Sequence, residues 1–145
     1  MKKHIKRFAE SLILLTILLI SASCDKNDDI DAIFREPTWY LTFVQDGEEK
    51  FIPKEGQFYS IEFRNDKFTV NMPNGSTLKG EWFADGGGSH TFYCRNVKKE
   101  GEIWRDDIAL KMYDIFVNSD SYEGDTNWLQ IRTKDTNRYM QFYNK

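Results

Sequence analysis

Few side chains in this sequence are of a type that does covalent or metal chemistry, and their spacing decides which chemistry is open. The 145 residues hold two cysteines, Cys24 and Cys94, and two histidines, His4 and His90. A zinc site built from His and Cys needs three or four such ligands brought together, and downstream of Cys24 the chain offers Cys94 and His90 alone. Cys94 sits in the alternating run Thr91-Phe92-Tyr93-Cys94-Arg95, where a buried, inert thiol is expected. A nucleophilic cysteine needs a base beside it, and His90 is the one candidate. Gly86-Gly87-Gly88 joins two strand-like stretches instead of opening a helix, so it is a loop and not a phosphate cradle. Oxygen ligands crowd between Asn118 and Asp125, as calcium prefers, yet no register gives the acidic positions, the glycine and the distal Glu of a calcium loop. A solvated loop is expected there. Asp and Glu are plentiful enough for a glycosidase pair, but nothing singles out two of them. The expectation is a protein that is not an enzyme and holds no cofactor and no metal.

Cys24 differs because of what precedes it. Lys2, Lys3, Lys6 and Arg7 form a basic start, residues 12–20 are apolar except for Thr16, and Ser21-Ala22-Ser23 are small. This is the layout of a secretory signal peptide over residues 1–23. Its apolar core is too short to span a bilayer, which takes about 20 residues. A cysteine directly after the small residues resembles the signal of a bacterial lipoprotein, in the looser form of Bacteroidetes, with Ser21 where Leu is usual. The resemblance implies that Cys24 is lipidated, that it becomes the first residue of the mature chain, and that the protein is anchored in the bacterial outer membrane. Several buried acyl chains at about 0.8 kcal/mol per methylene give stable anchoring. Lys26 followed by Asp28 and Asp29 resembles the surface-export signal of such lipoproteins, which opens surface display as a reading. Residues 24–35 are otherwise too acidic and too poor in apolar groups to order themselves, and a disordered tether is expected.

Removing residues 1–23 leaves 16 cationic and 22 acidic side chains, a net charge of −6. No basic stripe appears, so nucleic acid is not an expected partner. Residues 36–145 are enough for one domain with its own core. From Thr38 on, short alternating stretches are separated by turn residues, which predicts a mainly β fold: a small antiparallel meander or barrel-like sheet. Trp39, Leu41 and Phe43 share one strand face, and Phe63, Phe68 and Trp82 lie on the apolar phase of later strands. Trp104, Ile108, Met112, Ile115 and Phe116 recur at helical spacing, predicting one amphipathic helix over residues 102–117, with a strand over 108–117 as the rival. Residues 118–127 read as a polar loop. A final hairpin then sets Leu129 and Ile131 opposite Met140 and Phe142. The expected core anchors are Trp39, Leu41, Phe63, Phe68, Trp82, Ile108, Met112 and Phe116. Tyr40, Phe58, Phe83, Tyr93, Trp128 and Tyr143 fall off the core stripe. Either the sheet is covered on both faces, one of them by the helix, or these rings form a ligand surface.

The order of these features resembles the META domain, the family of the heat-shock lipoprotein HslJ. The likeness rests on Trp39-x-Leu41, a meander containing Phe63, Gly80 and Phe83, a helix, and closing strands around Leu129, Ile131, Met140 and Phe142. It implies an antiparallel barrel-like sheet with one helix and no defined catalytic site. A lipocalin-like lipoprotein domain, also a meander opening on a Trp, is the runner-up. The function expected is that of a non-catalytic binding or structural module of the cell envelope on a lipid tether. The alternative is a carrier or binder of a small apolar or glycan ligand, in a barrel mouth or on an aromatic face. The membrane is the one partner the sequence points to.

Overall fold

Alternating apolar side chains and the turns between them build nine strands among the described residues: β1 (Thr38–Asp46), β2 (Glu49–Phe51), β3 (Ser60–Arg64), β4 (Lys67–Asn71), β5 (Thr77–Ala84), β6 (Phe92–Glu100), β7 (Ser119–Gly124), β8 (Trp128–Thr133) and β9 (Arg138–Asn144). The computed structural model describes residues 29–145, so Cys24 and the expected signal segment lie outside the described residues. Every strand pairing is antiparallel, in the order β6-β5-β4-β3-β1-β9-β8-β7, with β2 added beside the end of β1. The last strand thus returns to the first. At the two remaining edges Thr91 bridges Ser121, and the Tyr122 N–H donates to the His90 carbonyl at 2.9 Å. The sheet is a nearly closed barrel, and near-closure leaves little unpaired edge.

The interior takes one phase of each strand. Trp39, Ile61, Phe63, Phe68, Val70, Leu78, Trp82, Leu129, Ile131, Met140 and Phe142 are all buried. Leu129 stands opposite Phe142 and Ile131 opposite Met140, as the final hairpin requires. Phe43 does not follow Trp39 and Leu41 inward. The β1–β9 register shifts between Leu41 and Phe43, so Val44 takes the next buried position and Phe43 turns out. One extra residue in a strand exchanges its two faces. A second shift, between Lys79 and Glu81, falls on Gly80. A Cβ there would lie 2.7 Å from Cε1 of Phe68. Glycine is what lets that ring lie against the backbone.

The helix, α1 (Asp107–Val117), starts later than its periodicity suggested. Asp106 caps it, accepting from the Ala109 N–H at 3.0 Å. Ile103–Arg105 is a separate 3-10 turn that buries Ile103 and leaves Trp104 exposed. Ala109, Met112, Ile115 and Phe116 form the buried face, while Ile108 is only half-buried at its margin. α1 does not cover a face of the sheet. It lies across the end of the barrel where β1 stops and β9 starts, against β6, β1, β8 and β9.

The opposite end is filled by a segment expected to be tether. Residues Asp31–Arg35 form a π-helical turn in which Ile33 and Phe34 are buried. The tether reading therefore fails for residues 30–35: two apolar side chains among the acids are enough to dock the turn into the barrel. Ser119–Gly124 is likewise a strand and not a polar loop. Of its six residues only Tyr122 is buried, so its single inward ring carried too little pattern to announce a strand.

Candidate functional site

A barrel of this size can hold a ligand or its own side chains, and here the side chains occupy it. Phe34 enters from the N-terminal end with no exposed surface. Its ring stacks on Trp82 at 5.0 Å and on Phe92 at 5.6 Å, and meets Phe63 and Tyr122 edge-on at 5.2 and 5.0 Å. The Trp39 indole N–H donates to the Ile33 carbonyl at 2.9 Å and fixes the turn. Arg35 closes over the outside, its guanidinium 5.1 Å from the Trp82 ring and its Nε–H donating to the Asn65 carbonyl at 3.3 Å. From the other end Phe116 stacks on Phe68 at 4.9 Å.

The helix end is held by charge. Asp46, at the end of β1, accepts from Lys111 of α1 at 2.6 Å and from Nε of Arg138 at 2.9 Å, and Arg138 also pairs with Asp114. The hydrogen bond from Lys111 is the main cause that holds the Asp46 carboxyl below its ordinary value. Partial burial opposes it and Arg138 adds to it. Nearby, Tyr59 donates to Asp106 at 2.6 Å. Burial first, then this hydrogen bond, pushes the Tyr59 phenol above its ordinary value. Asp106 spends its other oxygen on the helix cap, so both of its oxygens are committed to structure. An open groove of about 610 Å³ runs past this pair, with Ile52, Pro73 and Arg105 among its walls.

Cys94 is a partly buried residue of β6, and burial pushes its thiol up to about 12, which leaves it protonated and unreactive near neutral pH. The stretch from Asn118 to Asp125 is occupied by β7. Among the described residues no group of three or more His, Cys, Asp and Glu side chains is arranged to hold a metal ion. No helix among them is long and apolar enough to cross a membrane.

The outer face of β1, β9 and β8 carries the densest set of groups suited to recognition. Of the six aromatics off the core stripe, four gather at its N-terminal-segment end. Tyr40 stands opposite Tyr143, and Tyr143 opposite Trp128. The Phe58 ring lies 6.3 Å from that of Tyr40, which is 5.7 Å from Tyr143. Phe58 and Trp128 keep 52% and 38% of their surface exposed. In the middle of the face Gln130 donates to Gln141 at 2.8 Å. At the far end Phe43, turned out by the bulge, meets Tyr139 at 5.9 Å. Three cations lie on these rings: Lys50 over Phe43 at 4.2 Å, Arg132 over Tyr139 at 4.5 Å, and Lys145 over Tyr40 and Phe58 at 4.6 Å each. The other two off-stripe aromatics, Phe83 and Tyr93, stack on each other at 5.0 Å on β5 and β6. Sequence reasoning found Tyr40, Phe58, Trp128 and Tyr143, but not Phe43, Tyr139, the cations or the glutamines between them. The signal was present in Trp128-x-Gln130-x-Arg132 and Tyr139-x-Gln141-x-Tyr143, the outward phases of two adjacent strands.

Comparison with known proteins adds the family. A crystal structure of a DUF4847 family protein from Bacteroides vulgatus ATCC 8482, at 1.00 Å resolution, is similar in fold, with a TM-score of 0.61 and 22% sequence identity over 80% of this chain and 97% of that one. No curated protein matches the chain. The family described as "Domain of unknown function (DUF4847)" matches residues 25–144, a span that includes the Phe34 turn, both halves of the barrel and the whole aromatic face. The chain belongs to the DUF4847 family.

Proposed function

We propose that this protein is a lipid-anchored, non-catalytic recognition module of the bacterial cell envelope, which meets its ligand on the outer face of β8, β9 and β1. The observation that carries this reading is the placement of Phe34. Its ring, with Ile33 beside it, takes up the volume in which a barrel-shaped carrier would hold cargo. α1 closes the other mouth. Binding then falls to the outside, where rings, amides and cations are collected on one rigid sheet. The anchor at Cys24 rests on the signal layout of residues 1–24. The finer family likenesses are part of the same proposal. The last strand pairing with the first supports a lipocalin-like ancestry, and the one α-helix among the described residues, set before the last three strands, supports a META-like one.

Two measurements test this. Cys24→Ala should release the protein from the membrane fraction and abolish labelling by a fatty-acid analogue; retention in the detergent phase would contradict the anchor. The folded protein should give no saturable binding of an apolar fluorescent probe or a long-chain fatty acid. One-to-one binding of either would show a carrier.

A further inference from the structure

The charge on the outer face runs against the charge of the chain. The mature sequence carries a net −6, yet Lys50, Arg132 and Lys145 have no carboxylate partner among the described residues. Lys54, Arg95, Lys98, Lys99 and Lys134 also have no ion pair among the described residues, and Arg95 and Lys99 also lie over rings; what marks this face is that three such cations share it with the exposed aromatics and the glutamine pair. Each of the three unpaired cations is held against an aromatic ring, which fixes its position without cancelling its charge. Arg132 is the most constrained. Its Nη2 donates to Gln130, its plane lies over Tyr139, and its Nε–H is buried with no hydrogen-bond partner. A buried donor left unsatisfied costs about 1–3 kcal/mol. A planar guanidinium held in this way is suited to a planar or tetrahedral anion.

Resting on the proposed reading of this face, we infer that its ligand is an acidic oligosaccharide, with a uronate carboxylate or a sulfate on Arg132 and sugar rings against Tyr143 and Trp128. Sugars present C–H faces that pack on aromatic rings and hydroxyls that pair with amides, and Gln130 and Gln141 lie between the two aromatic rows. Tyr139 and Tyr143 are four residues apart on β9, so the rows are about 14 Å apart at strand rise. That length suits an extended chain with an anion at either end, one on Arg132 and Lys50 and one on Lys145. Glu123 stands beside Gln130 on β7 and bounds the face on that side.

Other anions fit less well. Three cations are too few to hold a nucleic acid by its phosphates. An acidic peptide bound by strand addition needs an open edge, and β9 and β8 are paired on both sides.

The test is calorimetric titration of the full-length chain in neutral detergent with four probes of equal length: an oligogalacturonate, a sulfated heparin fragment, a neutral cello-oligosaccharide and an oligoglutamate. One or both acidic sugars should bind, and which one identifies the anion. The neutral sugar and the oligoglutamate should be about tenfold weaker or worse. Arg132→Gln should weaken the acidic sugar by about tenfold or more, the loss of one charge-assisted contact. The exposed pair Lys50→Gln with Lys145→Gln should also weaken it and flatten its salt dependence, and it keeps the test open if Arg132→Gln misfolds. Equal binding of the neutral sugar, lost on Trp128→Ala, would overturn the acidic ligand while leaving the face as the recognition surface. Equal binding of oligoglutamate, or no binding of any sugar, would overturn the inference outright, while the membrane-release and carrier tests would still stand or fall on their own.

Discussion

Phe34→Ala is the change that asks most of the structure. The side chain has no exposed surface and touches four aromatic rings at centroid distances of 5.0–5.6 Å. Removing a buried phenylalanine costs about 3–5 kcal/mol, and the site cannot easily collapse because its walls are stiff rings on paired strands. The ring pairs would each add about 0.5–1.5 kcal/mol beyond area burial, but they overlap with that range and with one another. A loss of about 4 kcal/mol is therefore expected. For a domain of this size that lowers Tm by about 12–16 °C. The assay is thermal and urea unfolding of the mature chain, followed by tryptophan fluorescence, since Trp82 stacks on the removed ring and Trp39 is hydrogen-bonded to the same turn. The slope of the urea transition should hold while its midpoint falls. A chain beginning at Glu36, which loses the whole turn and its Trp39 hydrogen bond, should be at least as destabilised. If either variant melts within two or three degrees of the parent, by the same conversion less than about 1 kcal/mol, the turn is not part of the folded barrel.

Three further outcomes follow from the geometry. Asp46→Asn should destabilise the protein at pH 7. Because the native carboxyl is held below its unfolded value near 3.9, its contribution is present above that value and is lost as pH falls through the lower native one. The two proteins should thus converge in acid, and a gap unchanged down to pH 3 would remove the Asp46 network as its cause. Gly80→Ala should cost about 1–3 kcal/mol by driving a methyl group into the Phe68 ring, and an unchanged Tm would show that the ring can move aside. In the Cys24→Ala chain, where Cys94 is the one remaining thiol, alkylation at pH 8 should be slow when folded and fast in urea; equal rates would contradict a buried, protonated thiol.

The strands were legible wherever two or more apolar residues alternated, as in Tyr59-x-Ile61-x-Phe63 and Leu129-x-Ile131. β7 was not, because a strand with one buried ring has no period to read. Phe43 was read on the wrong face because a bulge leaves no trace in local composition. The Phe34 turn was hidden by Asp28, Asp29 and Asp31, whose charge suggested a solvated tether, although Ile33-Phe34 is an apolar pair that had to go somewhere. α1 was read too long because Ile103 and Trp104 continue an apolar pattern through a 3-10 turn, and it was placed on a sheet face because periodicity gives the buried side of a helix but not what buries it. The face proposed for recognition was half legible. Tyr40, Phe58, Trp128 and Tyr143 stood out as surplus to a small core, while Lys50, Arg132 and Lys145 became significant only once folding set them over the rings of the same face.

The most direct measurement is an isotope-edited NMR titration of the folded protein with the acidic oligosaccharide that binds. Side-chain and backbone shifts should move at Gln130, Arg132, Tyr139, Gln141 and Tyr143, with Phe34, Trp82 and Tyr122 undisturbed. Shifts centred on Phe34, Trp82 and Tyr122, with release of the N-terminal turn, would place the ligand inside the barrel and contradict a recognition module that works from its outer face.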